Sequence, residues 1–156
     1  MVTKTHTSQI GSEKFALLAM IFILVITAAG CGDGGEKSSR HNLKMATMDE
    51  MPVEVKSAPL VVQESYQFAA ANPDLMTHIP CYCGCGDMGH TSNYACYVSG
   101  QGPDGKPEYD SHALGCSICV DITHDSMRLF EQGKSLTEVR SYIDSTYAKY
   151  GPSNIP

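Results

Sequence analysis

Hydrophobic positions along the chain fall into three regimes. Phe15–Ile26 is an unbroken apolar run of 12 residues. Residues 32–58 follow as a polar stretch of glycine, serine and charge, in which Met45, Met48, Met51, Val53 and Val55 show no helical repeat. From Pro59 onward the apolar positions become periodic, and a folded unit is expected there.

Three helices are predicted in that unit. Val61–Ala71 places Val61, Glu64 or Ser65, Phe68 and Asn72 at i, i+3/i+4 spacing, with alanines between them. Asn72-Pro73 ends this helix, because a residue before proline avoids the α region. Ile118–Gln132 turns Ile118, Ile122, Leu129 and Phe130 toward one side, and Gly133 supplies a C-terminal stop. Ser135-Leu-Thr-Glu138 reads as a capping box. It opens a helix striped by Leu136, Val139, Ile143 and Tyr147, which Gly151-Pro152 terminates. Residues 73–115 are rich in Gly, Pro, Asn and Asp. They hold a turn at Pro103-Asp104-Gly105 and two candidate short strands, Ala95–Ser99 and Glu108–Ser111. The expected fold class is mainly α: a small three-to-four-helix domain with an irregular Cys-rich loop and room for a short β-hairpin. Its packed part, roughly 90 residues, lies near the size at which a core needs help to stabilise itself.

The first regime reads as an address. Lys4 and Lys14 precede the apolar run, and small residues follow it, which is the pattern of an export signal. Twelve residues fall short of the roughly 20 needed to span a bilayer. Ala28-Ala29-Gly30-Cys31 resembles the bacterial lipoprotein box, although Ala28 stands where leucine is commoner. That resemblance implies a diacylglycerol and acyl lipid on Cys31, which becomes the new N-terminus. An ordinary signal peptide, or an uncleaved anchor with a stray cysteine, is the competing reading. The expected organisation is a signal peptide over residues 1–30, lipidated Cys31 with a flexible tether over 31–58, and a Cys-rich domain over 59–156. Two acyl chains give stable anchoring, so the expected location is the extracytoplasmic face of the cell membrane.

Charge sharpens this picture. The chain of 156 residues carries a net charge of −6. Removing residues 1–30 takes away Lys4, Lys14 and Glu13 and moves the charge to −7. Such a domain is expected to stand off anionic lipid rather than lie on it. Nucleic acid is excluded as a partner, because its recognition needs a clustered basic surface.

Six of the seven cysteines lie between positions 81 and 119. The central string is Pro80-Cys81-Tyr82-Cys83-Gly84-Cys85-Gly86-Asp87-Met88-Gly89-His90, followed by Cys96 and then His112-Ala-Leu-Gly-Cys116-Ser-Ile-Cys119. This closely resembles the bacterial lipoproteins named for their Pro-Cys-Tyr-Cys-Gly-Cys motif, and the resemblance covers residues 60–150. It implies lipoprotein status. That family has no settled activity, so the chemistry must come from the residues.

In an extended strand Cys81, Cys83 and Cys85 would point to one side about 6.6 Å apart, too far to share a small ion. Gly84 and Gly86 permit positive φ and would let the segment curl until the sulfurs converge. Disulfides between residues i and i+2 are geometrically unfavourable. Cys116 and Cys119 have C-x-x-C spacing at a helix start, where free amides and the dipole lower a thiol pKa.

Three uses compete. The first is a metal site from Cys81, Cys83, Cys85, Cys96, Cys116 and Cys119, with His90 and His112 as nitrogen ligands. Copper(I) is expected first for its preference for thiolates, and zinc second. The second is a framework of three disulfides, the ordinary arrangement in a small exported domain. The third is thiol–disulfide exchange by Cys116/Cys119 with a redox partner. The C-x-x-C, helix, Gly133-Lys134-Ser135, helix arrangement is similar to the three-helix domain of cytochrome c maturation thiol proteins, over some 36 residues. It does not fit a thioredoxin fold, which needs strands after its C-x-x-C helix.

The remaining candidates are weaker. Met45, Met48 and Met51 could offer thioethers to copper(I). Asp87 and Asp121 could orient ligands from behind. His124, His78 and His41 are expected to be bystanders, and Tyr82, Tyr94, Tyr97, Tyr142 and Tyr147 to serve as core and lid. No serine–histidine–acid set, carboxylate pair or phosphate loop appears, so hydrolase and kinase chemistry find no support. The expected role is carriage, buffering or sensing of metal, with a metal-delivery protein as possible partner.

Overall fold

A computed structural model describes residues 43–155. The signal segment, Cys31 and the first part of the expected tether lie outside the described residues. Among the described residues no helix is long and apolar enough to cross a membrane. They form a mainly helical domain with one two-stranded antiparallel sheet.

Five α-helices occur among the described residues: α1 (Val53–Lys56), α2 (Leu60–Ala71), α3 (Pro73–Met76), α4 (Ser117–Glu131) and α5 (Leu136–Tyr147). Helix α4 is the spine, with α2 and α5 packed against it. Its buried side is Cys119, Val120, Ile122, Thr123, Ser126, Leu129 and Phe130. Gly133, at φ 77°, closes α4 in a left-handed turn. There Lys134 N–H donates to Leu129 O and Gly133 N–H to Phe130 O, at 3.0 and 2.9 Å. The capping box forms as its spacing predicts: Ser135 N–H donates to Glu138 Oε2 at 2.8 Å, and Glu138 N–H to Ser135 Oγ at 3.4 Å. Val139, Ile143 and Tyr147 are the buried stripe of α5, with Leu136 at its edge.

Two expectations shift by small amounts. Helix α2 buries Val62, Ser65, Tyr66, Phe68 and Ala69, while Val61 is exposed. The apolar stripe therefore runs from Val62, because Tyr66 and Phe68 outweigh Val61 in apolar area. The strands are β1 (Val98–Gln101) and β2 (Pro107–Tyr109), with Val98 opposite Tyr109 and an irregularity before Gly100. The turn between them uses Gly105 at φ 77°.

The expected tether boundary needs the larger correction. Residues 43–58 are packed against the core: Met51 and Val55 are buried, and Leu43, Ala46, Met48 and Ala58 lie against them. Hydrogen bonds stitch this stretch to α2. Asn72 donates from Nδ2 to Lys44 O at 2.7 Å and accepts from Lys44 N–H at 3.2 Å. Gln67 Nε2 donates to Ala46 O at 2.7 Å. A short, nearly polar strip has too few apolar residues to show a period, yet Met51 and Val55 are both buried in the core. Met45 is exposed, Met51 is buried in the core and Met48 packs against that core.

Candidate metal centre

The motif begins on buried backbone. Cys81, Cys85, Cys96 and Cys119 are buried, and Cys83 and Cys116 are half-buried. Gly84 adopts φ 84° and starts a 3-10 turn over Cys85–Met88, which Gly89 at φ 92° ends. The curl expected at Gly84 and Gly86 is therefore made by Gly84 and Gly89. Gly86 has negative φ, and a Cβ there would touch Asn154 at 3.4 Å. Cys96 sits at the end of a second 3-10 turn, Tyr94–Cys96. Cys116 is the N-cap of α4 and Cys119 lies in its first turn.

These turns bring both halves of the cysteine pattern together. Cys119 Sγ lies 3.4 Å from Cys81 Sγ and 3.6 Å from Cys83 Sγ. Cys81 and Cys83 sulfurs are 3.5 Å apart, and Cys85 and Cys96 sulfurs 3.6 Å. His112 Nε2 lies 3.4 Å from Cys83 Sγ. Four groups of donors each fall within 4.8 Å: Cys83/His112/Cys116/Cys119, Cys85/His90/Cys96/His112, Cys81/Cys83/Cys85 and Cys81/Cys96/Cys119. Every sequence-predicted ligand is in at least one of them. The groups could hold a metal ion. A zinc–sulfur bond of about 2.3 Å implies tetrahedral sulfur–sulfur edges of about 3.8 Å, so an ion would spread these sulfurs by only a few tenths of an ångström. No disulfide joins any of the six cysteines.

Charge in the cluster is unevenly held. Contacts with Cys119 and Cys96 hold the Cys81 thiol well below its ordinary range. Cys119 is pushed up by its contacts with Cys81 and Cys96 and by burial. Burial, and then the charge on Cys81, raise Cys83 and Cys85. The surroundings thus favour the thiolate at Cys81 and disfavour it at Cys83, Cys85 and Cys119. Several buried thiolates at these distances need a cation among them.

Below the cluster lies a closed polar floor. Thr123 Oγ1 contacts Asn93 Oδ1, Tyr97 Oη and Cys119 O at 2.7, 2.8 and 3.0 Å. Asn93 Nδ2 donates to Cys119 O at 3.2 Å, tying the Cys96 turn to the Cys119 helix.

Two residues at the site escape sequence reasoning. Asp110 lies 3.5 Å from His90 Nε2 through Oδ2 and accepts the His112 N–H on Oδ1 at 2.7 Å. Its spacing two residues before His112 was the available signal. Asn154 accepts the Cys81 N–H at 2.7 Å and donates from Nδ2 to His90 O at 3.0 Å and toward Cys85 Sγ at 3.5 Å. Nothing in its neighbourhood in the sequence marks it. Asp87 and Asp121, expected to orient ligands, are exposed. His124 meets Val61 O at 2.9 Å and takes no part in the donor groups.

The string that builds this pocket is also a family signature. Residues 20–156 match the family described as protein of unknown function with PCYCGC motif. The chain belongs to this family. No curated protein and no solved structure matches it. The PCYCGC motif thus acquires a structural meaning in this chain: its three cysteines form one wall of a sulfur cluster, and the glycine between the last two turns that wall inward.

Proposed function

We propose that this chain is a membrane-anchored, extracytoplasmic lipoprotein whose cysteine cluster binds a thiophilic metal ion for carriage, buffering or sensing, with Cys31 as the lipid-bearing residue. The observation that supports metal is convergence: six sulfurs and two imidazoles fall in overlapping groups, each within 4.8 Å. A disulfide framework would pair sulfurs two by two. Here Cys119 neighbours both Cys81 and Cys83 at nearly equal distance, 3.4 and 3.6 Å. Copper(I) is the first choice, because six thiols outnumber two imidazoles and Cys81/Cys96/Cys119 is a buried all-sulfur triangle. Zinc is the second reading, supported by the Cys83/His112/Cys116/Cys119 group, a three-sulfur, one-nitrogen set of the kind zinc takes.

The test is native mass spectrometry of the full chain, extracted in detergent under anaerobic conditions, with and without alkylation. Bound copper or zinc, six alkylatable thiols and a lipid mass on the N-terminal cysteine are expected. A mass deficit of six hydrogen atoms with no metal would replace this reading by the disulfide framework. A single labile disulfide at Cys116/Cys119, with Cys116→Ser trapping mixed disulfides, would favour thiol exchange instead.

A further inference from the structure

The eight donors are not one undivided pool. Cys83, His112, Cys116 and Cys119 form one four-donor group, and Cys85, His90 and Cys96 belong to another. Cys81 is in neither, yet it lies within 4.8 Å of Cys83 and Cys119 on one side and of Cys85 and Cys96 on the other. His112 presents Nε2 to Cys83, at 3.4 Å, which assigns it to the first group.

His90 supplies the independent observation. Its Nδ1 is buried and has no hydrogen-bond partner. Its Nε2 faces the Asp110 carboxylate at 3.5 Å, and the side chain is only 12% exposed. A neutral imidazole whose Nε2–H faces a carboxylate keeps a lone pair on Nδ1. An orphaned buried acceptor is costly unless something takes that lone pair. A carboxylate behind a histidine is the usual way a metal-binding imidazole is oriented. The Asp110 side chain also fixes the start of the His112 turn through Oδ1, so one residue positions both imidazoles.

We infer that the cluster is a two-centre site: one ion held by Cys83, His112, Cys116 and Cys119, a second by Cys85, Cys96 and His90 Nδ1, with the Cys81 sulfur bridging them and Asp110 positioning both histidines. This rests on the metal-binding reading above and specifies its stoichiometry and division of ligands. The first centre contains half-buried Cys83, Cys116 and His112 and is the accessible one. In the second, Cys85 and Cys96 are buried and His90 is half-buried.

The test titrates the full, detergent-extracted, reduced chain with copper(I), supplied anaerobically as its acetonitrile complex. Ions per chain are counted by native mass spectrometry, and the copper environment is read by X-ray absorption. Two ions per chain are expected, with a nitrogen scatterer and a short copper–copper distance that Cys81→Ser abolishes. His90→Gln should weaken the second step at least tenfold and leave the first within about twofold, at unchanged far-UV circular dichroism. Asp110→Asn keeps an oxygen for the His112 N–H. It should weaken the second step by about tenfold to a hundredfold, as loss of such a carboxylate does at other metal sites. Retained binding of the first ion shows that each variant is folded. One ion per chain, insensitive to His90→Gln, overturns the two-centre site and leaves the metal-binding reading standing. Three or more ions taken up in a single step overturn it as well. No ion bound overturns both.

Discussion

Asn154 grips Cys81 from both sides of its peptide. The side-chain oxygen accepts the Cys81 N–H at 2.7 Å, and the Asn154 N–H donates to Cys81 O at 3.1 Å. With its amide also bonded to His90 O, this residue closes the C-terminal segment over the motif. Asn154→Ala leaves the Cys81 N–H and His90 O without partners. The expected loss is about 1–3 kcal/mol, read by denaturant unfolding of the metal-free, reduced protein. Asn154→Asp retains the acceptor and should recover part of that loss. Equal stability of the alanine variant and wild type would remove Asn154 from the account.

Gly151 and Gly84 are needed for different reasons, and alanine separates them. A Cβ on Gly151 would stand 2.8 Å from the Tyr82 carbonyl oxygen, a backbone atom that cannot swing aside. Gly151→Ala should destabilise by about 1–3 kcal/mol through that overlap. Around Gly84 there is open space, but φ is +84°. Gly84→Ala should cost about 1–2 kcal/mol, and Gly84→Asn less, because asparagine tolerates the left-handed region. Equal values for Gly84→Ala and Gly84→Asn would contradict the conformational explanation.

Thr123 sits under Asn93, Tyr97 and Cys119 with no exposed surface. Thr123→Val keeps the volume and removes the hydroxyl that bonds Asn93 Oδ1 and Tyr97 Oη. A loss of about 1–3 kcal/mol in thermal or denaturant unfolding is expected. Ser at this position should restore most of it, since the hydroxyl is what the floor uses.

The α5 cap carries a pH dependence. Hydrogen bonds from Lys134, then from the Ser135 backbone and side chain, hold Glu138 down to about 2. A carboxylate whose pKa is depressed on folding binds fewer protons in the native state. It therefore stabilises above its unfolded value, about 4.3, and that contribution is lost as pH falls toward 2. Glu138→Gln should flatten the acid limb of stability between about pH 4.5 and 2: the variant is less stable than wild type at pH 7, the difference shrinks with added salt, and it disappears near pH 2. An unaltered acid limb in the variant would show that the cap contributes nothing through its charge.

Elements with long, regular patterns were legible in the sequence. The Ser135–Glu138 box, the Val139/Ile143/Tyr147 stripe and the stop at Gly133 all take the expected form, because each depends on neighbours a few residues away. The eight candidate ligands were legible by type. Their division into groups was not, because it depends on where Gly84, Gly89 and the α4 N-terminus aim side chains from separate segments. Asp110 and Asn154 were missed for the same reason: Asn154 meets Cys81 across 73 positions. Residues 43–58 misled because polarity hides two core residues, Met51 and Val55, whose burial is decided by the surface that α2 presents.

The polar floor beneath the sulfurs has a consequence for selectivity. Thr123, Asn93 and Tyr97 fix the separation between the turn bearing Cys96 and the helix bearing Cys119. That gap is then a property of the scaffold and precedes any ion, so a metal bound there would meet a preset spacing. An ion whose bonds to sulfur fit the set spacing meets ligands already in place. A larger one, such as cadmium, must strain a saturated hydrogen-bond network to enter. Discrimination by size would therefore fail in Thr123→Val before binding itself is lost.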